Sequence, residues 1–179
     1  MKTKQVILLL NILVWIIFVA LCVEAGSILI SSLVWLVMPN SSYHLFKWKA
    51  LSALFGYDKG HFAAIIIVVS IVTILKAYLF YLIIKLMSNK NLKFSQPFSA
   101  EVNRLISWGS VCALFIGLFS KYGFEYAQWL SAKGISMPDA AALKLDGAEV
   151  WILMGVILFA IAQVFKRGVE LQQENDLTV

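Results

Sequence analysis

Apolar residues run almost without interruption through four stretches of this chain, at about residues 6–23, 62–87, 102–120 and 150–165. Roughly 20 apolar residues at about 1.5 Å rise each cross a hydrocarbon core, so each stretch predicts a transmembrane helix. The first stretch continues past Glu24-Ala25-Gly26 into a second apolar piece at residues 27–38. As one straight helix it would be roughly 50 Å long against a core of about 30 Å, so its end must tilt, break or leave the membrane. Gly26 is the expected bend. With no strand signal, the fold class is all-α: a small polytopic bundle of four transmembrane helices, one domain over residues 1–179, with a cytoplasmic tail at 166–179.

Local signals set the boundaries. Ser99 reads as the N-cap of the third helix with Glu101 in its first turn, and Asp146-Gly147-Ala148-Glu149 reads as a capping box for the fourth. Tyr122, Tyr126, Trp129 and Leu130 keep helical spacing past the third span until Gly134, a C-terminal stop. Tyr43, Phe46, Trp48, Phe55 and Tyr57 crowd the first connecting loop, and these aromatics together read as an interfacial belt around aromatic-rich external loops. Gly109, Ala113, Gly117 and Ser120 form a small-residue face suited to close helix packing.

Composition agrees with a membrane protein: 61% of residues are hydrophobic and 14% charged, with a mean hydropathy of +0.84. Charge adds an orientation. Lys2, Lys4, Lys85, Lys90, Lys93, Arg104, Lys166 and Arg167 fall on one side of the spans, while the other side is near neutral, which places both termini in the cytoplasm. The net charge of +5 then sits mainly on the inner face beside anionic lipid and calls for no nucleic-acid binding by the chain. A cleavable signal peptide fits poorly, because the first apolar run is too long and a second follows at once. Cys22 and Cys112 fall inside separate spans as packed apolar residues.

Polar groups within the spans are the candidate functional residues, since each needs a partner in hydrocarbon. Asn11, Lys76, Ser107, Ser110 and Gln163 count to the inner half of the bundle and could form one hydrogen-bonded layer. Glu24 lies near the outer boundary, sharing a helical face with Ala20, Ser27 and Ser31 that suits a water-filled vestibule. Glu24 and Lys76 differ in depth by roughly 13 Å on this count, yet their side chains lean toward each other and could nearly meet. Nothing points to an enzyme. His44, His61 and Asp58 are too few for a metal site, and no nucleophile–base pair, phosphate loop or cofactor motif is present.

The segment Pro97-Phe98-Ser99 leading through Glu101 and Arg104, with the ending Lys166-Arg167-Gly168-Val169-Glu170-Leu171-Gln172-Gln173-Glu174-Asn175-Asp176-Leu177-Thr178-Val179, resembles the bacterial membrane-protein family called domain of unknown function 2975. The likeness extends over essentially the whole chain. It implies a bacterial cytoplasmic (inner) membrane location and a small helix-turn-helix DNA-binding protein as a regulatory partner. The expected function is therefore a non-enzymatic sensor or anchor for that partner, with Arg104, Lys166, Arg167, Glu170, Glu174, Asn175 and Asp176 as docking candidates. The acidic members could instead lock onto Lys90, Lys93 or Arg104 of the inner loop. The alternative is a small transporter, channel or immunity protein, in either case embedded in the lipid bilayer and open to homo-oligomer formation.

Overall fold

A computed structural model describes residues 3–37, 51–88 and 99–176, with side chains from residue 5 to 34 and up to 174. The described chain is all-helical: α1 (Thr3–Val37), a short α2 (Ser52–Tyr57), α3 (Lys59–Ser88), α4 (Ala100–Ala132) and α5 (Ala148–Asp176). Four of these, α1, α3, α4 and α5, are long and apolar enough to cross a membrane. The β-branched run Ile65-Ile66-Ile67-Val68-Val69 in α3 would suit a strand in water. In hydrocarbon only a helix satisfies its backbone within the segment, and none of Pro39, Pro97 and Pro138 falls inside a described helix to interrupt one.

Several boundaries match the local signals. Ser99 caps α4, its hydroxyl accepting from the Val102 amide at 3.2 Å, and the overrun of α4 ends where Gly134 takes a φ of +84°. Two expectations change. Gly26 lies inside an unbroken α1, so the excess length of that helix is met by tilt or by leaving the membrane. At α5 the capping residue is Gly147 (φ +71°), whose carbonyl accepts from the Trp151 amide at 3.1 Å, and Asp146 stands one residue before it.

The four long helices pack mainly on their neighbours in chain order, α1 on α3, α3 on α4 and α4 on α5, as a row. α3 and α4 carry most of the core, including Ile65, Val69, Val72, Ala113 and Ile116, whereas α1 and α5 expose most of their apolar side chains.

Small residues set the register. A Cβ on Gly117 would lie 2.5 Å from Ile152 and 2.9 Å from the Ala148 carbonyl, and one on Gly155 would meet Leu114 at 2.7 Å. α5 therefore starts opposite the middle of α4, and residues 118–132 of α4 run on for about 22 Å beyond that start. The loop half of α3 accompanies them, with Val68 against Gly123. On the other side of the row Phe18 meets Tyr81 with ring centroids 6.4 Å apart, which sets α1 against α3.

The small-residue face on α4 divides in a way its spacing did not show. Gly117 is a close contact, whereas a Cβ on Gly109 would meet nothing within 4 Å, beside an apolar gap of about 210 Å³ between α3, α4 and α5. Gly109→Ala should therefore raise the melting temperature of the detergent-purified protein, gaining about 1 kcal/mol of helix propensity, while Gly117→Ala should lower it, overpacking costing about 1–3 kcal/mol. Equal shifts in one direction would contradict this register.

Candidate functional site

Between α4 and α5 the chain turns back along the loop half of the row and plugs it. Asp139 starts a turn by accepting the Ala142 amide on Oδ1 at 2.8 Å, and the amides of Leu143 and Leu145 close onto the carbonyls of Asp139 and Ala140. Leu143 and Leu145 are 3% and 1% exposed, so both are core residues, with Leu145 seated against Gly123. Lys144, between them, closes the turn: its amide donates to the Ala141 carbonyl at 3.1 Å and its φ is +59°, the left-handed region that a side chain usually avoids at a cost of about 1–2 kcal/mol.

This conformation makes Lys144 the junction of three elements. Its carbonyl accepts from the Lys76 ammonium on α3 at 3.0 Å, and its own ammonium lies 3.7 Å from Glu24 Oε1 on α1. The Lys76 ammonium also lies 5.5 Å from the ring centroid of Trp151 in the first turn of α5, a cation–π contact, with Asp146 a further charged neighbour. Glu24 and Lys76 thus belong to one cluster, linked through Lys144. Ser27 and Ser31, on the same stretch of α1, spend their hydroxyls on the carbonyls of Glu24 and Ser27.

The other intramembrane candidates stand apart from this junction. Lys76 lies with the first turn of α5, away from Ser107, Ser110 and Gln163. Ser107 and Ser110 donate to the carbonyls of Asn103 and Ser107 within their own helix, at 2.9 and 2.8 Å. Gln163 is exposed, and Asn11 is half-buried with its Oδ1 lacking a hydrogen-bond partner. The expected single layer is not what the described contacts form, because serines in helices can satisfy themselves on the preceding turn. Arg104, Lys166, Arg167, Glu170 and Glu174 are all exposed, with Arg167 3.9 Å from Glu170. Asn175 and Asp176 continue the helix with side chains outside the described residues, as are Lys90, Lys93 and His44.

A second cluster gathers farther along the loop half. His61 Nδ1 lies 2.6 Å from the Tyr126 hydroxyl and its ring packs against Tyr57 and Trp129, while Lys133 sits 3.7 Å above Trp129. Asp58 Oδ1 accepts from the His61 amide at 2.8 Å, which holds its carboxyl below the usual range. The aromatics involved lie on α2 and α4 rather than in loops. Tyr43, Phe46 and Trp48 lie outside the described residues. Among the described residues no group of three His, Cys, Asp or Glu side chains is placed to hold a metal.

Lys144 and Trp151 are the participants that sequence reasoning missed. The usable signal was Leu143-Lys144-Leu145 between Asp139 and Gly147, two turn formers bracketing an apolar–charged–apolar triplet. The chain matches no family model, no curated protein and no solved structure.

The ion pair and the plug differ in weight. The Lys144–Glu24 pair is partly exposed on both sides (47% and 23%), a class worth about 0–1 kcal/mol, whereas truncating a buried leucine costs about 2–5 kcal/mol. Lys144→Gly relieves the left-handed strain and keeps the carbonyl that receives Lys76. It should shift stability by no more than about 1 kcal/mol, against a loss of about 2–4 kcal/mol for Leu145→Ala. Thermal melts in one detergent compare the two; equal losses would contradict this ranking of the plug above the ion pair.

Proposed function

We propose that this chain is a multi-pass protein of a bacterial cytoplasmic membrane, with both termini inside, that acts without catalysis as a sensor and anchor for a small cytoplasmic helix-turn-helix regulator. The observation that carries this reading is the course of α5. It starts at the Lys144 junction, with Trp151 against Lys76, and runs as one helix to Asp176. From its register on α4, residues from about 168 onward pass beyond the start of α4 by roughly 13 Å. A displacement of the turn before α5 would therefore reach the tail through a rigid rod.

The tail suits docking. Glu170, Leu171 and Glu174 are exposed, with Leu171 at 58%. Glu170 has Arg167 as a partner one turn back, and the tail continues as helix to Asp176. An acidic helix with an exposed leucine fits a basic groove on a partner, helix-in-groove fashion. The resemblance of residues 165–179 to the family ending favours the same class of partner, and the excess of Lys and Arg on the terminal side favours the orientation.

Affinity purification from native membranes followed by mass spectrometry tests this. The full chain should bring down a DNA-binding protein, and a chain lacking residues 174–179 should insert normally and lose it. Full recovery of that partner by the truncated chain would remove the tail as the docking element. A partner-free protein that changes ion or peptide flux in vesicles would favour the transport reading.

A further inference from the structure

The face of the row where α1 meets α3 carries a groove of about 550 Å³ that neither helix fills. Leu29 and Leu33 of α1 form one wall, and Ile67 and Ile74 of α3 the other; all four are exposed, at 42–61%. Ser32 is the wall's hydroxyl on α1, and it is already spent on the Ile28 carbonyl at 2.6 Å. A lining of this kind offers water too few partners to hold it. The one charged residue is Lys59, at the mouth, with its ammonium 5.7 Å from the Phe55 ring centroid.

Dimensions decide what fits. From Lys59 to Ile74 the wall of α3 extends about 22 Å, more than the roughly 15 Å depth of one leaflet. A volume of 550 Å³ spread over that length makes a long, narrow groove. A hydrocarbon chain, with neighbours at about 4 Å, fits along such a groove more closely than a helix, which is about 10 Å wide with its side chains. Charge selects the head. Among the described residues no carboxylate forms an ion pair with Lys59, and the adjacent Asp58 is committed to the His61 amide.

We propose that this groove is a binding site for an anionic phospholipid, one acyl chain lying along α1 and α3 and the headgroup phosphate paired with Lys59. The site needs only that the helices span a bilayer and does not depend on the regulator described above. It makes α1, which packs mainly on α3, a helix whose seating responds to lipid composition.

Native mass spectrometry of the full chain in detergent, titrated with phosphatidylglycerol or phosphatidylcholine of matched acyl chains, tests the site. The unaltered protein should retain one phosphatidylglycerol with about a fivefold preference, the effect of one lysine near an anionic headgroup. Lys59→Gln should abolish the preference while keeping chain binding. Ala63→Trp, from an exposed wall position, should reduce retention of both lipids. Melting temperatures near that of the parent show that both variants fold. Equal retention of the two lipids by the parent, or an undiminished preference in Lys59→Gln, would overturn the proposal. So would a dimer that Ala63→Trp dissolves, since a second copy would then be the occupant.

Discussion

A lysine in the middle of an apolar helix has to find an acceptor, and the rest of this structure is arranged around the one that Lys76 finds. Its ammonium donates to the carbonyl of Lys144 and rests on the face of Trp151. Leaving such a group unpaired costs more than bending one residue into the left-handed region, so the strain at Lys144 is tolerated. Leu143 and Leu145, on either side of that residue, are both buried in the core. A polar requirement and an apolar one are met by the same three residues.

The row of helices follows from this. With the turn filling the space over the loop halves of α3 and α4, α5 has no room to run their full length and starts opposite Gly117. The terminal half of the row is thus a stack of four helices, while the loop half is α1, α3 and α4 with an irregular plug. Within the irregular segment Leu143 and Leu145 are buried, while Lys144, Asp146 and Gly147 beside them are exposed. α1, held mainly by α3 and by the Glu24 contact to Lys144, is the least enclosed of the four.

Much of the helical content was legible in the sequence, because hydrocarbon leaves the backbone few alternatives. The spans, the Ser99 cap, the stop at Gly134 and the close packing at Gly117 all follow from local chemistry. Packing order and relative depth did not. Lipid-facing and helix-facing apolar residues look alike in composition, so nothing marked α1 as packing mainly on α3. Depth was counted from helix ends, but helices longer than the membrane share no common origin. That count separated Glu24 from Lys76 and grouped Lys76 with Ser107 and Gln163. The Phe18–Tyr81 contact brings Glu24 and Lys76 to nearly the same level. Lys144 went unnoticed because a charged residue in a connecting loop needs no explanation until its neighbours prove to be buried.

Cross-linking in native membranes tests the junction most directly. With Cys22 and Cys112 replaced by alanine, Glu24→Cys and Lys144→Cys can be introduced together and treated with a short bifunctional thiol reagent, followed by cleavage of the chain between α3 and α4. The account predicts that the two fragments stay joined, and that a pair of Asn11→Cys with Lys144→Cys under the same treatment does not join them. Separation of the fragments in the first pair, or joining in both alike, would contradict a turn seated against α1 at Glu24.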